Sequence, residues 1–173
     1  MTTVEAYNHA DRNSSGHTPL RPVTLEDLPV LAILEKEVFH DLAYSVDTLR
    51  VFYNLFQDTW YVADYDGDLA GYELVGLNPK NSHGWLLGLA VSGRYRGRGL
   101  GGILMGQALA SMMDYEVTDA YLTVRPGNAA ARRIYDAFEF EHVEQVPNYY
   151  WNNEPRDVLH RSLEENPYLP ASP

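Results

Sequence analysis

Arg96-Gly97-Arg98-Gly99-Leu100-Gly101-Gly102 stands between two apolar stretches of different period. Before it, Trp85–Val91 reads as a β-strand buried on both faces, with Gly88 inviting a bulge or a close backbone approach. After it, Leu100, Ile103, Leu104, Ala108 and Met112 recur on one face of a helix. A strand that passes through glycines into a helix is suited to an anion. Consecutive backbone N–H groups and the positive helix end converge there, and the missing side chains let a phosphate approach. The loop also contains G-x-G-x-x-G at Gly97, Gly99 and Gly102, a dinucleotide-type pattern. Yet only seventy-one residues follow Gly102, too few for a doubly wound sheet, and no acidic residue ends the next strand, Ala120–Val124. No Gly-Lys-Ser/Thr run is present, and the interleaved arginines Arg94, Arg96 and Arg98 suit packing alone poorly.

Working outward, Leu20–Val23 predicts a short first strand, and Thr24 starts a helix with Asp27 as its capping-box partner and Pro29 in the first turn. Leu28, Leu31, Glu35 and Val38 share one face of that helix, and Val46–Phe56 predicts a second. Trp60–Asp64 and Ala70–Gly76 read as strands joined by a tight turn at Asp66-Gly67, and Pro79–Gly84 as another turn. Pro126-Gly127-Asn128 opens a helix whose buried stripe is Ala131, Ile134, Tyr135 and Phe138. Glu141–Val146 and Val158–Leu163 are late strands separated by the aromatic loop Asn148-Tyr149-Tyr150-Trp151. The pattern predicts one mixed α/β domain over residues 18–163, between a loose arm (1–17) and a Pro-rich tail (164–173).

The 173 residues match a single ordinary domain, with 45% apolar and 21% charged residues in the range of globular chains. No apolar run is long enough to span a bilayer. The polar first seventeen residues do not resemble a secretory signal, so a cytoplasmic protein is expected. The absence of cysteine excludes a disulfide framework, a zinc-thiolate site and any cysteine nucleophile. The six histidines show no metal-ligand spacing. A net charge of −11 disfavours nucleic acid and anionic membranes as partners. Between Arg94 and Arg133, however, six basic residues face three acidic ones, a positive island suited to a small anionic ligand.

The loop also fits Arg/Gln-x-x-Gly-x-Gly/Ala through Arg96, Gly99 and Gly101. Thirty-two residues after Arg96, room for one helix and one strand, comes Asn128-x-x-Ala131-x-x-x-Tyr135, followed by Phe138 and Phe140. These two motifs, in this order, resemble those of the GCN5-related N-acetyltransferase (GNAT) superfamily over roughly Leu20 to Leu163. The resemblance implies a mixed central sheet of six to seven strands with about four helices, and acetyl-CoA as co-substrate. It assigns the pyrophosphate to the stretch Arg96, Gly97, Arg98, Gly99, Leu100, Gly101 and Gly102, with main-chain donors at Arg98, Gly99, Gly101 and Gly102. Leu89, Ala90 and Val91 resemble the splayed strand that pairs with pantetheine. Asn128 and Ala131 belong to the second motif, and Arg132 or Arg133 would meet the 3′-phosphate.

Tyr135 is the implied general acid for the leaving thiolate, since a phenol of ordinary pKa about 10 can donate a proton. The closest look within the superfamily is to ribosomal-protein alanine N-acetyltransferases: the loop Val146-Pro147-Asn148-Tyr149-Tyr150, with a later Asp157, resembles theirs. That subgroup often carries a glutamate where Thr123 stands, so the base is open; Glu73 is the leading candidate, with His83 behind it. The acceptor is expected near Phe39, His40, Tyr44, Thr123, Tyr149, Tyr150 and Trp151. Glu139 replaces the glycine usual before Phe140. The expected partner is an amine on a peptide N-terminus or on a small molecule, the chain being a monomer or a homodimer. A non-catalytic acyl-CoA-binding module is the third reading, and the intact Tyr135 argues against it.

Overall fold

The computed structural model describes residues 20–65, 67–150 and 153–164; the arm, the Pro-rich tail beyond Glu164, Asp66 of the expected turn and Trp151 lie outside them. One sheet has the order β1-β2-β3-β4-β5-β7-β6. Strands β1 (Leu20–Pro22), β2 (Trp60–Tyr65), β3 (Asp68–Asn78) and β4 (His83–Val91) form an antiparallel meander. A crossover through helix α3 (Leu100–Asp114) then lays β5 (Asp119–Val124) parallel to β4. Strand β7 (Glu154–Ser162) pairs antiparallel with β5, and β6 (Glu141–Tyr150) forms the edge. Helices α1 (Leu28–Phe39) and α2 (Val46–Phe56) cover one face, burying Leu31, Leu34 and Leu49 against Trp60, Val62, Tyr72 and Leu74. On the other face α3 and α4 (Ala129–Ala137) bury Met105, Met112, Tyr135 and Phe138 against Val75, Leu122 and Leu159. Among the described residues no helix is long and apolar enough to cross a membrane.

Thr24 does not open α1 directly. It caps a 3₁₀ turn, Leu25–Asp27, that leads into α1, with the Thr24 amide donating to the Asp27 carboxylate at 2.8 Å. The expected aromatic loop is a correction: β6 continues through Tyr150, so Asn148, Tyr149 and Tyr150 lie on a strand. The β6–β7 register breaks between Val146 and Tyr150, opposite Arg156 and Glu154. Pro147 and Pro155 fall in that gap, where a missing N–H removes no ladder bond. Strand β4 is corrected too. Its burial alternates, with Leu87 and Leu89 only half-buried, rather than running continuously on both faces.

Two irregularities of β4 build the site. The β3–β4 register shifts so that Leu74 faces Gly88 and Val75 faces Leu86, leaving Leu87 as the bulged residue. A Cβ at Gly88 would lie 2.5 Å from the Tyr72 hydroxyl, so only glycine lets that tyrosine pass. Strand β4 pairs with β5 only from His83 to Leu86. Beyond that point the two parallel strands part.

At the end of α4 the Phe140 amide bonds the Tyr135 carbonyl at 3.0 Å and the Glu139 amide bonds the Asp136 carbonyl at 3.0 Å, the Schellman pattern. This cap needs a left-handed residue, and Glu139 supplies it at φ 59°. A side chain in that region carries about 1–2 kcal/mol of strain. Glu139→Gly is therefore expected to raise stability by about 1 kcal/mol in urea unfolding, with the slope against denaturant unchanged.

Candidate active site

Where β4 and β5 part, a cavity of about 490 Å³ opens. Leu87, Gly88 and Leu89 form one wall, Leu122 and Thr123 the facing one, and Tyr135 reaches in from α4. Glu35, Phe39 and the segment 41–44 close it from the α1 side, while Tyr149, Tyr150 and Arg156 close it from the β6–β7 side. Five expected acceptor residues, Phe39, Tyr44, Thr123, Tyr149 and Tyr150, are thus brought together. Glu73 is not among them. Nor is His83, which packs on Tyr121 at 5.0 Å, and Asp157 is engaged by Gln145 at 2.9 Å.

The glycine loop leads into α3 as an open cradle. Gly97 and Gly99 both take positive φ, 76° and 80°, turning successive peptides so that their N–H groups are left outward. Among the described residues the amides of residues 97–101 have no hydrogen-bond partner. The Gly102 amide, expected as a donor, is instead taken by the Gly99 carbonyl at 3.0 Å as α3 begins. Five consecutive unpartnered donors fit a pyrophosphate. Gly101 also lets α4 approach, since a Cβ there would lie 2.7 Å from Ile134 Cδ1.

The arginines are partly committed. Arg96 Nε donates to the Val91 carbonyl at 3.3 Å, the Arg98 guanidinium lies over the Tyr65 and Tyr95 rings, and Arg132 pairs with Asp136 at 2.8 Å. Asn128 caps α4, its Oδ1 accepting from the Ala131 amide at 3.2 Å. Of the splayed segment, Leu89 lines the cavity, Ala90 is buried under α1 and α2, and Val91 packs towards Tyr95.

Tyr135 is 7% exposed, set edge-on to Phe140, and burial pushes its phenol up to about 12. It therefore remains protonated through the neutral range. Glu35 is fully buried at the base of the cavity. Its carboxylate accepts the Tyr44 amide at 2.7 Å and the Tyr72 hydroxyl. Burial pushes Glu35 above the usual carboxylate range, while these two hydrogen bonds pull it back. Tyr44 in turn donates its hydroxyl to the carbonyl of the bulged Leu87 at 3.2 Å, tying the 41–44 segment to the splay.

Glu73 pairs in register with Tyr61 and Leu89 and shares a sheet face with Gly71, which abuts Leu104 of α3. Both carboxylate oxygens are buried with no hydrogen-bond partner among the described residues. Burial holds Glu73 well above the ordinary value of 4.5. The folded state thus keeps a proton that the unfolded state releases. The Glu73 contribution to stability is whole below the ordinary carboxylate value and is lost, by about 1.4 kcal/mol per pH unit, as pH rises from there towards the raised folded value. Glu73→Gln is expected to flatten that decline and raise the melting temperature at neutral pH, with kcat unchanged. Scanning calorimetry across pH, beside steady-state rates, measures both.

Sequence reading missed Glu35, Asp41, Trp85 and Arg156 as cavity residues. A signal existed for Glu35, a carboxylate on the apolar face of α1. None existed for Arg156, whose position follows from the register of β6 against β7.

The gap between the two parting parallel strands suits an acyl chain, and the unpartnered amides of the glycine loop suit an anion. The chain belongs to the acetyltransferase (GNAT) family, whose model matches residues 29–140. It is 29% identical over 140 residues to an uncharacterized N-acetyltransferase of Methanocaldococcus jannaschii, covering 78% of this chain and 85% of that protein. It is 33% identical over 109 residues, 60% of each chain, to the N-alpha-acetyltransferase daf-31 of Caenorhabditis elegans. Its fold superposes on Ard1 from Thermoplasma volcanium with a TM-score of 0.77 at 20% identity, covering 86% of this chain and 98% of that one. The reaction is transfer of an acetyl group from acetyl-CoA to an amine.

Proposed function

We propose that the cavity at the β4–β5 splay is the acceptor site and that the enzyme acetylates the N-terminal amine of a peptide in the cytoplasm. The observation that carries this reading is the convergence of Tyr135, Thr123, Tyr44, Tyr149 and Tyr150 on one cavity at the splay. The name of the nematode relative supports a peptide acceptor, and the cysteine-free sequence supports the cytoplasmic setting.

In this reading residues 97–101 hold the pyrophosphate through their amides, with Arg96 and Arg98 beside it and Arg132 or Arg133 at the 3′-phosphate. The open edge of Leu89, Ala90 and Val91 pairs with the pantetheine arm, and Asn128 and Ala131 flank that arm at the start of α4. Acetyl-CoA supplies a thioester carbonyl. A β4 amide at the splay stabilises the oxyanion that develops there. Tyr135 donates to the departing sulfur. Proton removal from the amine falls to Glu35, directly or through one water, because Glu73 lies outside the cavity and Thr123 cannot ionise in the neutral range. Transfer is direct, within a ternary complex.

A small amine is the second reading, favoured by Thr123, where relatives of the alanine type often carry glutamate. Coenzyme release with matched peptides and small amines separates the two. Gly99→Glu tests the cradle. A carboxylate placed there repels the phosphates and removes charge-assisted hydrogen bonds, so acetyl-CoA affinity by calorimetry is expected to fall roughly ten- to a hundredfold. A folded variant with wild-type affinity would refute the cradle.

A further inference from the structure

The β6–β7 wall of the cavity carries a charge that the proposed chemistry does not use. Arg156 is 8% exposed and lines the cavity beside Tyr149 and Tyr150. Its guanidinium carbon sits 4.9 Å from the Tyr150 ring centroid, which fixes the plane of the fork. Nη1 donates to the Glu154 carboxylate and to the Pro155 carbonyl, the latter at 2.8 Å. Among the described residues, Nε and Nη2 have no partner.

Glu154 does not neutralise this arginine alone, because it also accepts from Arg125 Nε at 2.8 Å. Two guanidinium groups share one carboxylate, so the trio keeps a net positive charge at the cavity wall. The cavity's carboxylates, Glu35 and Asp41, lie on the α1 side, across from it. The site therefore has an acidic pole and a basic pole. A partly buried guanidinium with a free edge is costly unless an anion completes it, and its fork matches a carboxylate. With an overall charge of −11, the protein does not draw anions in from a distance, so the selection must be local.

We propose that Arg156 determines acceptor specificity by binding a carboxylate that the acceptor carries close to its reacting amine. The inference rests on the cavity being the acceptor site. The shared chemistry is an amine and a carboxylate a few bonds apart, as in a free amino acid or in a peptide with an acidic side chain at its first or second position.

The test uses the full chain with acetyl-CoA and reads coenzyme release. One arm takes peptides that differ only in Asp, Asn or Lys at position two, or in Glu, Gln or Lys at position one. The other takes free glutamate, glutamine and the corresponding amine lacking its α-carboxylate. The expected result is a preference in kcat/KM of roughly ten- to a hundredfold for the carboxylate over its neutral isostere, the range of one charge-assisted hydrogen bond, carried mainly in KM. Arg156→Gln should bring that ratio close to one and Arg156→Lys should keep part of it. Glu154→Gln, which removes the carboxylate charge that the two guanidinium groups share, should widen it. Preference confined to one arm identifies whether the carboxylate belongs to a free amino acid or to a peptide side chain.

Equal kcat/KM for acidic and neutral acceptors overturns the inference while leaving the acceptor site in place, and so does a ratio unmoved by Arg156→Gln in a variant of unchanged acetyl-CoA affinity. No turnover in either arm, with acetyl-CoA still bound, overturns the acceptor-site reading and the inference with it.

Discussion

Tyr135→Phe is expected to lower kcat by on the order of 10² to 10⁴, the usual worth of a positioned general acid. The phenyl ring keeps its place against Phe140, so stability and acetyl-CoA affinity should stay near wild type. The effect should fall on kcat rather than on KM, because the hydroxyl meets the sulfur only as negative charge develops there. The buried phenol stays protonated up to about 12, so the pH–rate profile should show no falling limb from this group below about pH 10. A thiol ionises near 8.5, so in this environment the hydroxyl stabilises the thiolate chiefly by donating a hydrogen bond. An acceptor-independent readout completes the test: the variant should bind acetyl-CoA in calorimetry while releasing almost no coenzyme. Wild-type turnover at saturating substrates, with chemistry limiting, would sink the assignment.

The parts of this site that were legible in the sequence are those fixed by local backbone demands. Gly97 and Gly99 had to be glycine because the chain turns through positive φ there. Such requirements leave a mark that needs no knowledge of tertiary contacts. Tyr135 was legible only through its spacing from Asn128, because a tyrosine on an apolar stripe reads as core. What the sequence hid depends on register. Glu73 and Glu35 are both acidic residues within apolar patterns, and only the alternation of β3 sends Glu73 towards α3 while Tyr72 points at Glu35. Likewise Pro147-Asn148 reads as a turn, yet Pro147 and Pro155 sit in a gap of the ladder and the strand persists through Tyr150. Gly102 fits the loop pattern as well as its neighbours do, but its amide belongs to the first turn of α3.

Glu35→Gln should reduce kcat/KM by on the order of 10² to 10³ at neutral pH and remove the limb of the profile that rises with ionisation of the carboxylate. Burial raises the Glu35 pKa from 4.5, which makes its carboxylate a stronger base than an exposed one. Glutamine preserves the shape. Its oxygen can still accept the Tyr44 amide and its nitrogen can donate to the Tyr72 oxygen, so loss of the 41–44 segment does not account for a slower enzyme. The decisive companion is Tyr72→Phe. The Tyr72 hydroxyl stabilises the charged carboxylate and so holds its pKa down. Removing that donor must raise the Glu35 pKa, and the rising limb must move to higher pH without vanishing. Ionisation of the amine itself, near 7.7–8.0 for an N-terminus, stays where it was in both variants. A Glu35→Gln enzyme whose profile rises only with the amine, together with a Tyr72→Phe enzyme whose limb has shifted upward, identifies Glu35 as the proton acceptor. If both variants keep the wild-type profile, Glu35 is a strut for Tyr44 and the amine is deprotonated by water.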